Sequence, residues 1–309
     1  MNENEQATQD MRDALQQILK KDYDISSVHD VLLQTMESFS ECYEHQRSKS
    51  DAKDALAGFN GIPSGFPELD RFTCGWTKGS LVVITGEPLA GKTSFALNTA
   101  LTCARESGPI AFFSLTMKKK AWLARILSIQ SELDTVRIKT GRLYDSEWNV
   151  FIKATDQIDR LPLYVDDSAY LTVKMIQEKA KQLQEEKGLS LIVVDFLQML
   201  QGTLGKEYES RYEELSDILR SLKRLAMELD VPVLVISNLS CSDVEPKSPG
   251  SYDLHRSGAV DETADEVILV ERGGYTNYLI PIKFSGLRES TPEFDFLPGT
   301  GKMKPCTHD

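Results

Sequence analysis

A segment at residues 86–93 has the residue types and the spacing of a phosphate-binding loop. It contains Gly86-Glu-Pro-Leu-Ala-Gly91-Lys92-Thr93 and satisfies the pattern GxxxxGK(S/T). The glycines let backbone N–H groups curl around phosphate oxygens, and the amino end of a following helix adds the positive end of its dipole. Lys92 is expected to reach the β- and γ-phosphates of a nucleoside triphosphate, and the Thr93 hydroxyl to coordinate Mg²⁺. The predicted nucleotide-contacting residues are Gly86, Glu87, Pro88, Leu89, Ala90, Gly91, Lys92, Thr93 and Ser94.

A second candidate, Asp195, ends the apolar run Leu191-Ile-Val-Val-Asp195. An acidic residue at the carboxyl end of a buried strand is typical of a Walker B motif, which holds the metal's water shell. The alternative is an ordinary turn or helix-cap aspartate, which is common after a strand. Because a phosphate-binding loop precedes it in the chain, Thr93 and Asp195 are the predicted metal ligands. ATP and Mg²⁺ are the predicted cofactors.

Short apolar runs alternate with longer amphipathic stretches around these motifs. Runs rich in β-branched residues predict buried strands of a parallel sheet at residues 81–85, 110–114, 163–166, 191–195 and 233–237. Helices are predicted at 94–105, 117–131, 173–187 and 212–229, and later strands at 266–270 and 278–284. The phosphate-binding loop thus lies between a strand and a helix, which disfavours a chance match at a turn. The pattern predicts an α/β fold with a mainly parallel central sheet.

The first part of the chain has a different character. Residues 1–58 are polar and rich in helix formers, with apolar residues at helical spacing in two stretches: Met11, Leu15, Ile18 and Leu19, then Val28, Val31, Leu32, Met36 and Phe39. We predict a helical N-terminal segment at 1–58 and an ATPase domain at 59–309. The two helices are too thin to form a core alone, so their apolar stripes need a partner in the main domain or in another copy.

Composition limits the class of partner. The 309 residues include 35 Lys and Arg against 47 Asp and Glu, a formal net charge of −12, which argues against bulk attraction to nucleic acid. The five cysteines form no CxxC pair, so neither a disulfide framework nor a zinc site is indicated. The polar first residues are unlike a signal peptide, and no apolar run approaches the roughly 20 residues that span a bilayer. We therefore expect a cytoplasmic protein without a membrane partner.

Several segments resemble the motor domain of DnaB-type replicative helicases and occur in that family's order. They are Gly61-Ile-Pro-Ser-Gly65-Phe-Pro-Glu-Leu-Asp70, Phe113-Ser-Leu-Thr-Met117, Lys139-Thr-Gly-Arg-Leu143, Val194-Asp-Phe-Leu-Gln-Met199, residues 217–232 and Ser257-Gly-Ala-Val-Asp-Glu-Thr-Ala-Asp265. The resemblance implies a RecA-like P-loop core of the hexameric helicase superfamily, with ATP between neighbouring subunits and DNA in the channel of a ring. The larger N-terminal domain usual in that family is missing from this sequence, and residues 25–45 resemble the linker helix that packs on the adjacent subunit.

The chain departs from the family pattern at the residue expected to activate the attacking water. The family's second strand ends in Ser-Leu-Glu-Met, whereas this chain has Ser114-Leu-Thr116-Met117. A neutral hydroxyl is a poor general base because its pKa lies far above neutrality. Glu87 lies within the phosphate-binding loop and is not expected to replace the missing glutamate.

Two further departures concern the sensor and the arginine finger. The family's Ser-Gln-Leu-Asn-Arg is replaced by Ser237-Asn-Leu-Ser-Cys241, so Asn238 keeps an amide on a shorter side chain. The family's Lys-x-Arg-x-Gly is replaced by a segment that keeps Lys283, has Ser285 at the finger position and has Arg288 displaced by three residues. A finger contributes roughly a thousandfold or more in related enzymes, so its loss slows hydrolysis unless Arg288 reaches the γ-phosphate.

The loops expected to face DNA are acidic. Residues 242–247 include Asp243 and Glu245, and residues 201–210 contain Lys206 but also Glu207 and Glu209. A loop that follows a phosphate backbone needs a surplus of Lys and Arg, so single-stranded DNA has little support as a ligand. The helix cluster Arg220, Lys223 and Arg224 is equally compatible with a solvated face and a functional one, while Lys118-Lys119-Lys120 favours a solvated run.

Three functions remain open from the sequence. The favoured one is a DnaB-like protein in DNA replication that binds ATP and Mg²⁺ with degenerate hydrolysis machinery, as a homo- or hetero-oligomer that assembles with or regulates a helicase ring. The alternatives are an active ATP-dependent DNA helicase and a RecA- or KaiC-like ATPase in signalling or recombination. The positions expected to decide catalysis are Lys92, Thr116, Asn238, Lys283 and Arg288.

Overall fold

The computed structural model describes residues 61–237, 258–273, 276–283 and 292–305, together with Val28, Leu32 and Met36. The chain divides into two units, residues 1–58 and 59–309. In the first unit, Val28, Leu32 and Met36 are helical and exposed by 77%, 56% and 58%. Their four-residue spacing places them on one helix face. The other residues of the two predicted N-terminal helices lie outside the described residues.

The second unit alternates strands and helices. Its described helices are α1 (Pro67–Thr73), α2 (Lys92–Glu106), α3 (Lys119–Ser131), α4 (Thr135–Thr140), α5 (Asp145–Asp159), α6 (Val173–Lys187), α7 (Arg211–Leu229) and α8 (Gly258–Thr263). Its described strands are β1 (Leu81–Thr85), β2 (Ile110–Ser114), β3 (Leu163–Asp166), β4 (Leu191–Asp195), β5 (Val233–Ile236), β6 (Glu266–Gly273), β7 (Thr276–Lys283), β8 (Glu293–Leu297) and β9 (Lys302–Pro305). A 3₁₀ helix, Leu197–Met199, follows β4. No helix in the described part of the chain has the length and apolar character that a membrane span requires.

The described strands form one sheet in the order β3-β2-β4-β5-β1-β6-β7-β8-β9. Pairing is parallel from β3 through β6, and β7, β8 and β9 extend the sheet in antiparallel fashion. Every residue of β1, β2, β4 and β5 is buried, as expected for parallel strands covered on both faces. The predicted α/β class with a mainly parallel sheet is confirmed.

An aromatic cluster joins the later strands to the helix that follows the phosphate-binding loop. The ring of Phe66 lies 4.9 Å from that of Phe95 on α2 and 4.8 Å from that of Phe294 on β8, measured between ring centroids. All three side chains are buried. Burial of each large aromatic ring contributes about 1.5–3 kcal/mol, so this cluster fixes the β8–β9 hairpin against α2.

The structure contains elements that the sequence pattern does not predict. Helices α4 and α5 fill residues 135–159, and β8 and β9 extend the sheet. On α5, Phe151, Ala154 and Ile158 share the face that packs on the core, but Trp148 and Ile152 are exposed, so the apolar pattern of the sequence does not mark one face clearly. Helix α3 begins at Lys119, two residues later than predicted, because the Ser114 hydroxyl donates to the Met117 carbonyl in a turn ahead of it.

Candidate nucleotide site

The phosphate-binding loop lies between β1 and α2, as the sequence predicts. Gly91 caps α2 with φ 103°, and Gly86 has φ 145°. A Cβ atom at Gly86 would lie 2.2 Å from the carbonyl oxygen of Val270, so the close approach of β6 admits only glycine at this position. The loop therefore brings the amino end of a 15-residue helix to the carboxyl edge of the sheet, where backbone N–H groups can bind phosphate.

The Lys92 side chain is held inside the loop. Its Nζ donates hydrogen bonds of 2.7 Å to the Gly86 carbonyl oxygen and 2.6 Å to the Glu87 carbonyl oxygen. Burial lowers the pKa of Lys92, while the negative charges of Asp195 and Glu87 act in the opposite direction. The ammonium group is thus positioned for phosphate oxygens, which would replace the two carbonyl oxygens as its partners.

Thr93 and Asp195 meet at the position expected for a metal. The Thr93 hydroxyl donates a 3.1 Å hydrogen bond to Oδ2 of Asp195, which is 2% exposed. Burial raises the pKa of Asp195, and the hydrogen bond from Thr93 and the nearby charges of Arg125 and Lys92 offset part of that rise. One carboxylate and one hydroxyl beside a phosphate loop fit Mg²⁺, which keeps several waters and takes few protein ligands.

Thr116 lies beside Asp195, at the end of β2. The strands β2 and β4 are paired so that Ser114 is opposite Asp195, and the Leu115 N–H donates to the Asp195 carbonyl oxygen at 2.7 Å. The Thr116 side chain lowers the pKa of the Asp195 carboxyl and lines the same cavity. The position that the family resemblance assigns to a glutamate thus carries a neutral hydroxyl beside Asp195.

These groups share a cavity of about 800 Å³. The phosphate-binding loop forms one end, and the turn between β8 and β9 forms another wall. Among the described residues, its carboxylates are Asp195 and Asp134, and Asp134 is engaged as the cap of α4 through bonds from the N–H groups of Val136 and Arg137.

The cavity includes residues that the sequence motifs do not predict. They are the half-buried Arg125 on α3, Arg272 near the end of β6, Asp134, and the turn that follows Phe296. A charge within the largely apolar stretch Trp122–Ile129 is the signal that could have indicated Arg125. Arg272 and the turn enter the cavity through tertiary folding, and no local pattern marks them.

The motifs and their geometry agree with one protein family. A family model described as DnaB-like helicase C terminal domain matches residues 61–283. The chain belongs to this family.

Relatives within the DnaB-like family support the assignment. The chain is 35% identical over 254 residues to the replicative DNA helicase DnaB of Geobacillus stearothermophilus, an alignment that covers 81% of this chain and 54% of that protein. A solved structure described as an ATPase domain superposes with a TM-score of 0.79 at 27% identity, covering 92% of this chain and all of that one. Another, described as a DnaB-like replicative helicase and its interactions with primase, gives 0.75 at 27% identity, covering 91% of this chain and 67% of that one. The chain spans about half the length of the curated relatives it matches.

Several positions taken from the DnaB-like pattern fall outside the described structure. Three of these positions, Asn238, Ser285 and Arg288, lie outside the described residues. Lys283 is the last residue of β7, and only its backbone is described. The glutamine of the strand-end motif, Gln198, donates a 2.9 Å hydrogen bond to the Ser237 hydroxyl, which follows β5. The structure therefore connects the motif after β4 to the residue that precedes Asn238 in sequence.

The basic cluster on α7, Arg220, Lys223 and Arg224, contacts other residues of the fold. Lys223 donates to the Asp265 carboxylate at 2.8 and 3.0 Å and to the Gly79 carbonyl at 2.9 Å, and Arg220 lies 3.6 Å from Glu262. Arg224 contacts the Ser221 hydroxyl at 3.1 Å. Lys223 therefore ties α7 to the start of β6, which favours a structural role for this part of the cluster.

The loop at residues 201–210 is fixed by its own contacts. Asp217 accepts hydrogen bonds from Lys206 Nζ at 2.9 Å, from the Tyr208 hydroxyl at 2.8 Å and from the Thr203 hydroxyl at 3.2 Å. The ammonium of Lys206 also lies 4.9 Å from the centre of the Tyr208 ring. The lysine of this loop is thus neutralised locally. The second loop, residues 242–247, lies outside the described residues.

Proposed function

We propose that this chain binds ATP and Mg²⁺ and hydrolyses ATP slowly or not at all, acting in DNA replication as an assembly or regulatory partner of a helicase ring. The single observation that carries the proposal is that Thr116, and not a carboxylate, lines the cavity together with Thr93 and Asp195. A complete phosphate loop and a metal-binding pair stand beside a group that cannot accept a proton from water. Family membership supports the link to replication.

The binding half of the site is intact in its chemistry. Lys92 Nζ has short contacts to two loop carbonyl oxygens, and phosphate oxygens offer the same ammonium a stronger, charged partner. Thr93 and Asp195 are already within hydrogen-bond distance, so little rearrangement is needed to hold a hydrated cation. Mg²⁺ bound by Thr93 and Asp195 would supply positive charge that offsets the negative charge of the phosphates.

The groups expected to catalyse hydrolysis are replaced in this chain. Proton abstraction by a positioned base contributes about 10²–10⁴-fold to rate, and Thr116 supplies none of it. Ser285, at the expected finger position, has no charge to stabilise the transition state, and a finger is worth about 10³–10⁵-fold. Without a general base and an arginine finger, the site is expected to bind ATP but to hydrolyse it slowly.

An active ATP-dependent DNA helicase is the second candidate. It is favoured by the two arginines, Arg125 and Arg272, that line the same cavity and supply positive charge from within the chain. Charge held near the transferred phosphoryl group can replace part of a missing finger. These arginines do not replace the general base, which is why binding without efficient turnover is the preferred proposal.

Mass in solution, measured with and without Mg-ATP, tests the assembly role. We expect the chain to form a ring, alone or when mixed with DnaB subunits, and to do so more fully with Mg-ATP. The Lys92→Ala variant should lose the nucleotide dependence, whereas Lys153→Ala, an exposed lysine on α5, should keep it. A chain that stays monomeric in every mixture and ignores nucleotide would contradict the assembly role.

A further inference from the structure

The turn between β8 and β9, residues 297–301, is attached to α2 by one buried side chain. The Asn98 amide Nδ2 donates 2.7 Å and 3.0 Å hydrogen bonds to the carbonyl oxygens of Ser94 and Gly301. Its Oδ1 accepts from the Met303 N–H at 3.3 Å. Asn98 is 9% exposed and uses both ends of its amide, so it joins the helix of the phosphate-binding loop to the end of the turn and the start of β9.

The same turn is attached on its other side to the start of α4. The Thr135 N–H donates a 2.9 Å hydrogen bond to the Gly299 carbonyl oxygen, and the Thr135 hydroxyl lies 3.1 Å from the same oxygen as a donor. A Cβ atom on Gly299 would come within 3.0 Å of the Asp134 carboxylate, so the approach is close. Two elements, α2 and α4, therefore fix the position of one exposed turn.

The turn forms a wall of the nucleotide cavity, and that wall is apolar. Phe296 and Pro298 line the cavity there, as do Ile129 from α3 and Val136 from α4. A nucleotide combines a charged triphosphate with a flat, largely apolar base. The triphosphate matches the backbone N–H groups and Lys92 at the phosphate-binding loop, whereas the base needs an apolar or aromatic surface to stack on.

We propose that Asn98 and Thr135 are positioning residues that hold residues 297–301 as the base-binding wall of the cavity. This inference rests on the proposed nucleotide binding and adds the part of the ligand that the turn recognises. Neither side chain contacts the phosphates in this scheme, so both act through the turn. Their loss affects the base end of the ligand and leaves the phosphate end unchanged.

The test compares two ligands that share phosphates but differ in the base. Binding of Mg-ATP and of inorganic tripolyphosphate with Mg²⁺ is measured by calorimetry on Thr135→Val and Asn98→Asp. Each variant keeps its side-chain shape and removes the side-chain donor to the turn, while the Thr135 N–H still donates to the Gly299 carbonyl oxygen. The matched controls are Thr155→Val and Asn149→Asp on α5, an exposed threonine bonded to the Phe151 carbonyl and an exposed asparagine.

We expect the Kd for Mg-ATP to rise about five- to tenfold in both variants, the usual effect of one lost hydrogen bond that orders a ligand-binding surface. The Kd for tripolyphosphate should change by less than about twofold, and the control variants should match wild type for both ligands. Retained tripolyphosphate binding also shows that the site is folded. If Asn98→Asp does not fold, Thr135→Val alone decides, because Thr135 is only half-buried.

Three results would overturn the inference. Unchanged ATP affinity in Thr135→Val would show that the Thr135 side chain does not position a base-binding wall. Parallel loss of ATP and tripolyphosphate would show a general effect on the site. Binding of tripolyphosphate but not ATP by the wild type would show that the turn excludes the base, whereas binding of neither ligand would refute the proposed nucleotide binding itself.

Discussion

The Thr93 hydroxyl and Oδ2 of Asp195 lie 3.1 Å apart, joined by a hydrogen bond between the start of α2 and the end of β4. In the sheet, β5 separates β4 from β1, so the two residues meet above the carboxyl edge of the strands. Ligand sites in open α/β sheets form at such edges. The fold alone therefore brings together the two residues that we propose as metal ligands.

Replacing Lys92 tests the phosphate end of the site. Lys92→Ala removes the ammonium group whose Nζ lies 2.7 Å from the Gly86 carbonyl oxygen. Because charge-assisted contacts to phosphate are strong, we expect the Kd for Mg-ATP to rise on the order of a hundredfold or more in calorimetric titration. Lys153→Ala on α5 is the matched control. Tight ATP binding by Lys92→Ala would refute the phosphate-loop assignment.

Thr116→Glu restores a carboxylate beside Asp195. We expect ATP turnover to rise above wild type but to stay about 10³-fold or more below that of a DnaB helicase, because the finger position remains Ser285. Thr116→Gln, which adds length without a base, should not raise turnover. Phosphate release at saturating ATP measures the three proteins. Helicase-level turnover in Thr116→Glu would show that another group compensates for the finger.

Glu266, the first residue of β6, makes stability depend on pH. Burial raises its pKa to about 8 from an ordinary 4.5, with a smaller effect of Asp265, and its Oε2 has no hydrogen-bond partner among the described residues. The folded chain keeps this proton while the unfolded chain releases it. The contribution of this proton to the free energy of unfolding is therefore complete below pH 4.5. It is lost as pH rises toward 8, at about 1.4 kcal/mol per pH unit.

Glu266→Gln should remove that dependence. Urea unfolding should show that the free energy of unfolding falls more between pH 5.5 and pH 7.5 in wild type than in Glu266→Gln. The control is Glu178→Gln, an exposed residue on α6, which should match wild type. Asp70, whose pKa burial raises to about 6, contributes equally to both proteins and cancels in the comparison. Equal pH dependence in wild type and Glu266→Gln would refute a proton held at this residue.

Releasing Lys206 tests the prediction that the loop at residues 201–210 contributes little to DNA binding because its lysine is held by Asp217. Asp217→Asn removes the charge that binds Lys206 Nζ at 2.9 Å. We expect single-stranded DNA affinity to rise several-fold at low salt, with the slope of log K against log salt steeper by about 0.7, as for one added phosphate contact.

The control for that experiment is Asp156→Asn, which removes the same charge from an exposed ion pair with Arg160 on α5. Fluorescence anisotropy with labelled single strands measures both variants. A second change, Lys206→Ala, should cancel the gain in Asp217→Asn. An equal gain from Asp156→Asn would show that net charge, and not Lys206, limits binding.

The strands and the phosphate site were predictable because local sequence determines them. Runs such as Leu191–Asp195 are apolar along their whole length, and parallel strands covered on both faces require that pattern. The glycines and Lys92 of the phosphate loop act through spacing along one short segment. The end of an apolar strand indicated Asp195, family resemblance added the position of Thr116, and both line one cavity with Thr93.

The rest of the site depends on tertiary approach. Arg125 is the one charge in the apolar stretch Trp122–Ile129, and it lines the cavity because of how α3 packs on the sheet. The turn at residues 297–301 enters because Phe294 packs on Phe66 and Asn98 bonds to Gly301. Such contacts join residues far apart in the chain, so no local periodicity encodes them.

Steady-state ATP turnover with saturating single-stranded DNA, measured on protein whose Mg-ATP binding has been titrated first, tests the central claim most directly. The proposal predicts saturable, Lys92-dependent binding with turnover at least about 10³-fold below that of a DnaB helicase assayed beside it. Turnover equal to that helicase and stimulated by DNA would contradict the proposal and establish the active motor.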